Sequence, residues 1–192
     1  ALRAVAPLAS VEVTSDPAVV GGAGRVVFPG QGAMPDCMRE LDARNLRNVV
    51  LEAAKNKPFL GICIGLQMLF EHSTEGDVAC LGVLPGDVVR FPHELHDARG
   101  NRLKVPHMGW NQVHHSDHPM WREIAQDERF YFVHSYYVQP ADQTLVQAET
   151  NYPEPFVCAV ARENLFAVQF HPEKSHTAGL QLLKNFVSWN PV

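Results

Sequence analysis

The sequence predicts an α/β fold: an open, mostly parallel central sheet flanked by helices, with an antiparallel extension in the second half. Three observations carry this expectation. In the first half, short apolar strands alternate with amphipathic segments of helical length, the rhythm of a parallel sheet. The segment Phe59–Ile62 is apolar without alternation, as in a strand buried on both faces. In the second half, strand-like runs follow one another directly, separated by Pro, Gly, Asn and Asp, which reads as antiparallel pairing.

Taken in order, Val11–Val13 is expected as a short strand ended by the turn Ser15-Asp16-Pro17. Arg25–Phe28 is expected as a strand stopped by Pro29-Gly30. A helix is expected from about Asp36 to Lys55, because Leu46, Val49, Val50 and Ala53 recur at i, i+3, i+4 and i+7. Pro58–Ile62 is the buried strand, and Leu66–Phe70 opens the next helix. Strands then follow over Asp87–Phe91, Leu103–Val105, Phe130–Val138, Leu145–Glu149, Phe156–Val160 and Leu165–Phe170. Thr177–Trp189 reads as a closing helix with Leu183, Phe186 and Val187 on one face. No repeat or low-complexity linker divides the chain, so residues 1–192 read as one domain.

Composition narrows the function classes. Sixteen Lys and Arg against 21 Asp and Glu give a formal charge of −5, so no nucleic acid or anionic membrane is expected as a partner. No apolar run approaches the roughly 18 residues of a spanning helix. The cysteines Cys37, Cys63, Cys80 and Cys158 form no C-x-x-C pair and match no zinc module, which favours a reduced, cytoplasmic setting. Each is then a small buried hydrophobe or a nucleophile. His93 and His96, and the group His114, His115 and His118, lie in stretches rich in Asp, Ser and Pro that read as solvated loops, so no metal is expected.

The sharpest chemical signal is Gly61-Ile62-Cys63-Ile64-Gly65. An apolar strand ends, a nucleophile stands between glycines, and a helix begins at once, as in a nucleophile elbow. The helix N-terminus favours negative charge on the thiol. The pentapeptide alone also admits a cysteine that only fills space at a strand end. A thiolate needs a base and an orienting group. The strand ending in His171-Pro172-Glu173 offers both, on the rim where open α/β sheets place their ligands, although a histidine beside a surface glutamate is common. The glycine-rich turn Phe28-Pro29-Gly30-Gln31-Gly32 offers backbone N–H groups for half of an oxyanion hole, with the N–H of Ile64 as the other half.

These motifs together resemble the class I (triad-type) glutamine amidotransferases: Gly61-Ile62-Cys63-Ile64-Gly65-Leu66-Gln67, then His171-Pro172-Glu173, in the order Cys, His, Glu. Within that class, Pro106-His107-Met108-Gly109-Trp110-Asn111, Tyr131–Tyr136 and Gln169–Ser175 look like the branch formed by the glutaminase subunits of imidazole glycerol phosphate synthases, and the resemblance covers nearly the whole chain. It implies that Cys63 attacks the carboxamide of L-glutamine, that His171 moves the proton and that Glu173 orients His171. It implies further that Gly30, Gln31, Gly32 and Ile64 serve the oxyanion, and that Gln67, Glu75, Ser135 and Tyr136 hold the substrate. Gln31 stands where the family often has Val, a change that backbone donation tolerates. The implied partner is a (β/α)8-barrel cyclase in a heterodimer of histidine biosynthesis, faced by Met108, Trp110, Asn111 and Lys174. No cofactor is implied. Members of the family begin with an apolar strand and a glycine-rich turn; Ala1–Ala6 resembles the tail of the helix that follows, which implies a strand and part of a helix ahead of Ala1.

Three other readings stand beside this one. A class I glutaminase of another synthase is disfavoured by Gly109-Trp110-Asn111. A stand-alone γ-glutamyl hydrolase has no use for Trp110 and Lys174 as partner contacts. A silent interaction subunit does not account for Cys63, His171 and Glu173 all being present.

Overall fold

The computed structural model describes residues 1–191. In chain order its strands are β1 (Val26–Gly30), β2 (Phe59–Cys63), β3 (His72–Ser73), β4 (Val78–Ala79), β5 (Gly86–Arg90), β6 (Leu95–His96), β7 (Arg102–Leu103), β8 (His107–His115), β9 (Glu128–His134), β10 (Tyr136–Pro140), β11 (Val146–Asn151), β12 (Pro155–Arg162) and β13 (Leu165–Val168). The helices are α1 (Leu2–Val5), α2 (Pro17–Gly22), α3 (Met34–Ala43), α4 (Arg47–Asn56), α5 (Ile64–Gln67) and α6 (His176–Ser188).

At the centre of the fold, β2 lies between β1 and β13, parallel to both. Its residues are buried throughout, as the unbroken apolar run predicts. Alternate side chains point to opposite faces. Phe59, Leu165 and Ala167 join the core under α3 and α4, with Met34, Met38, Leu41, Val50 and Ala53. Leu60, Ile62, Phe166 and Val168 join the core under α6, with Leu182, Leu183 and Phe186. Burying a Phe or Leu side chain completely is worth roughly 1.5–3 kcal/mol, so this three-strand unit is the anchor to which the site is fixed. Parallel pairing also brings the C-terminal ends of β1, β2 and β13 to one rim, where Gly30 stands opposite Cys63 in the ladder.

From β13 the sheet continues through β12, β10, β5, β3 and β4, while β11, β8 and β9 branch from the other side of β12. The ladders joining β12 to β13, β10 and β11 are antiparallel, as are those of β10 with β5, β11 with β8 and β8 with β9, which gives the extension expected of the second half.

Several elements differ from expectation, each for a physical reason. Val11–Val13 is not a strand: it joins no sheet among the described residues, and Val13 is almost fully exposed. The turn at Ser15-Asp16-Pro17 is the start of α2, where the Asp16 carboxylate accepts the Ala18 N–H at 2.8 Å and Pro17 occupies the first turn. The single helix expected over residues 36–55 is two helices. Asn45 takes φ +56°, Leu46 N–H donates to Leu41 C=O and Asn45 N–H to Asp42 C=O, a Schellman stop. The strand expected over residues 130–138 changes partner at Ser135: β9 pairs with β8, and β10 with β5 and β12. The stretch around His114 and His115, expected as a loop, is the end of the nine-residue strand β8.

Candidate active site

The site is built where β2 turns into α5. Cys63 adopts φ +55° and ψ −113°, a conformation that disfavours any residue with a Cβ, and costs on the order of 1–3 kcal/mol. Two glycines make the turn possible. A Cβ on Gly65 would lie 1.8 Å from the Phe28 carbonyl oxygen, and one on Gly30 would lie 2.3 Å from Cγ2 of Ile64. The elbow is therefore pressed directly against β1. Gly65→Ala is expected to lower the unfolding free energy by about 2–3 kcal/mol, because the obstacle is backbone that cannot give way. The control Gly24→Ala, with nothing within 4 Å of its Cβ, should stay within about 0.5 kcal/mol. Denaturant midpoints of the two variants measure this, and equal midpoints would refute it.

Cys63 is buried at 8% exposure and stands at the head of α5. His171 follows β13, the neighbour of β2, and its backbone is held twice: its N–H donates to Tyr131 C=O at 2.9 Å, and its carbonyl accepts from Ser175 Oγ at 2.6 Å. The buried Ser175 oxygen in turn accepts the Tyr131 N–H at 3.0 Å, tying the histidine loop to β9. The ring nitrogen Nδ1 of His171 is 2.8 Å from Glu173 Oε1. Nε2 is buried and has no hydrogen-bond partner among the described residues. Burial disfavours the charged imidazolium, but Cys63 and Glu173 outweigh it and push His171 up to about 9. Glu173 moves the other way: burial raises its carboxyl, the bond to His171 more than offsets this, and the result lies below the ordinary glutamate value. The arrangement thus favours the protonated imidazole, held through Nδ1 by the Glu173 carboxylate, with Nε2 on the other side of the ring beside Cys63.

The other residues singled out in the sequence fall into three groups. Gly30 ends β1 opposite Cys63, Gln31 and Gly32 follow it, and Gly32 has φ +105°. The Gln31 carbonyl accepts from Cys37 Sγ at 3.5 Å. Gln67 is buried on α5, and its amide N–H groups donate to Tyr136 C=O and to Gln169 Oε1, both at 2.9 Å. Glu75 Oε2 accepts the N–H of Met34 at 2.8 Å and so caps α3. Ser135 is the residue between β9 and β10, its carbonyl accepting from Phe91 N–H. On β8, Met108 and Trp110 are exposed, at 61% and 41%. Trp110 stacks on His176 with ring centroids 4.7 Å apart, and Lys174 Nζ sits 5.9 Å over the Tyr131 ring. Asn111 turns to the opposite face of β8, donating to Asn151 C=O at 2.8 Å and to His107 Nε2 at 3.3 Å.

That inner face of β8 holds a histidine pair the sequence reading missed. His107 Nδ1 is 3.0 Å from His134 Nε2, and His134 Nδ1 is 2.8 Å from Tyr136 C=O. A carbonyl only accepts, so His134 Nδ1 carries the proton, His134 Nε2 accepts from His107, and His107 Nε2 accepts from Asn111. Both rings are therefore neutral, and burial pushes His107 down to about 4 and His134 to about 3. Gln169, wholly buried beside Cys63, was likewise not singled out. The available signal was a polar residue continuing an apolar strand, Leu165–Val168, toward a histidine.

A profile of the family described as "Glutamine amidotransferase class-I" matches residues 5–189. The chain is 66% identical over its whole length to the imidazole glycerol phosphate synthase subunit HisH of Thiobacillus denitrificans, covering 85% of that protein. It is 67% identical, again over its whole length, to the subunit of the same name from Aromatoleum aromaticum, covering 91% of it. Among solved structures, a crystal structure described as a glutamine amidotransferase matches 96% of the chain with a TM-score of 0.69, over 89% of its own length. The glutaminase domain of Trypanosoma brucei CTPS matches all of it with a TM-score of 0.64, over 86% of that domain. Both are 16% identical, so they speak for the fold alone.

Proposed function

The chain belongs to the class I glutamine amidotransferase family, and from that premise we propose that it is the glutaminase subunit of an imidazole glycerol phosphate synthase, releasing ammonia from L-glutamine for histidine biosynthesis. The observation that carries this reading is the Cys63–His171–Glu173 arrangement, with Nδ1 of His171 on Glu173 and Nε2 unpartnered beside the thiol. The close relatives supply the synthase.

In the proposed reaction the Cys63 thiolate attacks the side-chain carboxamide carbon of glutamine. The oxyanion is met by the N–H of Ile64 and by backbone N–H groups of the Gly30–Gly32 turn. As the C–N bond breaks, the His171 imidazolium gives its Nε2 proton to the departing amide nitrogen, and ammonia leaves a γ-glutamyl thioester. Neutral His171 then takes a proton from water, the hydroxide adds to the thioester, and the C–S bond breaks to give glutamate and the thiolate–imidazolium pair again. Glu173 keeps Nδ1 protonated throughout, so only Nε2 exchanges protons. Gln67, Glu75 and the Ser135–Tyr136 backbone are proposed to hold the amino-acid end of the substrate, and Glu75 has a second oxygen for the α-ammonium group.

Met108, Trp110 and Lys174 form a surface patch of the kind that anchors a partner, an exposed aromatic with apolar and cationic neighbours. The proposed partner is a (β/α)8-barrel cyclase of about 250 residues, with Asn111 holding the strand from behind. The test is glutamate release by the isolated chain and by its mixture with the barrel subunit and the barrel's ligand. The expected result is slow turnover alone and a rise on the order of tenfold or more in the mixture. Full activity without the barrel would favour a stand-alone γ-glutamyl hydrolase.

A further inference from the structure

Gln169 follows β13 and lies two residues before His171, on the segment that carries the histidine to the rim. It is wholly buried. Its amide nitrogen Nε2 is 3.7 Å from Cys63 Sγ, within hydrogen-bond reach of an atom as large as sulfur, and its Oε1 accepts from Gln67 Nε2 at 2.9 Å. The sense of this chain is set by a group that cannot be turned round. The Tyr136 backbone carbonyl only accepts, so Gln67 must present its NH2 there, at 2.9 Å. The same NH2 reaches Gln169, whose facing atom is then the oxygen. The remaining end of the Gln169 amide, its NH2, is turned on the sulfur.

We propose that Gln169 is a direct hydrogen-bond donor to the Cys63 nucleophile, favouring its thiolate and fixing the direction in which the sulfur attacks. The inference rests on the reading of Cys63 as the nucleophile. A neutral donor aimed at sulfur binds the anion better than the thiol, because hydrogen bonds to ionised acceptors are about twice as strong. The site excludes water at Gln169, so nothing competes for the N–H. The same bond serves twice in the cycle, once before attack and once when the thioester releases the thiolate. The titratable groups that face the sulfur from neighbouring elements are His171 with Glu173 and, from α3, Cys37, with His134 behind His171. Among these side chains Gln169 is a donor whose charge does not change with pH.

Alkylation of Cys63 by iodoacetamide needs the thiolate but not glutamine, so it separates this inference from the glutaminase reading. In Gln169→Met, similar in volume but without the donor, alkylation of the Cys63 peptide at pH 7, followed by mass spectrometry, should slow about ten- to hundredfold. The pH of half-maximal rate should move upward. Gln169→Glu, which sets an anion against an anion, should slow it further. A folded Gln169→Met protein alkylated at the wild-type rate with an unchanged pH profile would overturn the proposal. Should that variant fail to fold, the wild-type protein decides: the Gln169 side-chain amide resonance should titrate with the midpoint of the alkylation rate, and an amide indifferent to that titration would also overturn it. Dependence of alkylation on Gln169, together with turnover surviving in Cys63→Ala, would leave the donor in place and remove Cys63 as the glutaminase nucleophile.

Discussion

Cys63→Ala should lower glutamate release on the order of 10⁴-fold or more in an assay with the proposed barrel subunit present, while the fold and the partner complex persist. The size follows from losing the atom that forms the thioester; removing a nucleophile from a coupled set removes nearly all that the set contributes. The fold persists because Cβ remains, the elbow glycines are untouched, and only a sulfur at the edge of the core is lost. A Cys63→Ala protein that turned over glutamine at even a hundredth of the wild-type rate would exclude Cys63 as the nucleophile, whatever its melting temperature.

Acid should weaken the protein through the histidine pair. In the unfolded chain a histidine takes up its proton near pH 6.5. In the folded chain His107 resists until about 4 and His134 until about 3, burial being the main cause for both. Between those values and pH 6.5 the unfolded state binds more protons, so stability falls as pH falls. His118, lowered by burial, adds in the same sense. His171 works oppositely: its folded value is raised to about 9, so its contribution is complete below pH 6.5 and is lost as pH climbs toward 9. From pH 6.5 to pH 5 the unfolding free energy should drop by about 3 kcal/mol, carried by His107 and His134. Urea titrations at the two pH values measure it. His134→Gln should remove about half of the slope, and a wild-type protein equally stable at both pH values would contradict the neutral, buried assignment.

The two chemical centres differed in how far they could be read in advance. The elbow was legible because its causes are local: an apolar strand, flanking glycines and an immediate helix. His171 and Glu173 were legible because Pro172 fixes them at neighbouring positions. The break at Asn45 was hidden by a good apolar period on both sides of it, and only the left-handed backbone of that one residue ends α3. Strand β8 was hidden because its inner face is polar. His107 and Asn111 look like loop residues until His134, from β9, and the Asn151 carbonyl, from β11, satisfy them. Gln169 was hidden for the same reason, its partners coming from α5 and β2. Buried polar groups are legible only with their partners, and here the partners come from other elements.

The backbone at Cys63 bears on how this protein would respond to selection for heat resistance. A glycine at position 63 would accept the same φ without penalty. A screen that rewards survival at high temperature and ignores turnover would therefore favour discarding the sulfur proposed as the nucleophile. Durability and catalysis pull in opposite directions at this single residue, and any thermostable library of this chain needs an activity filter to keep it.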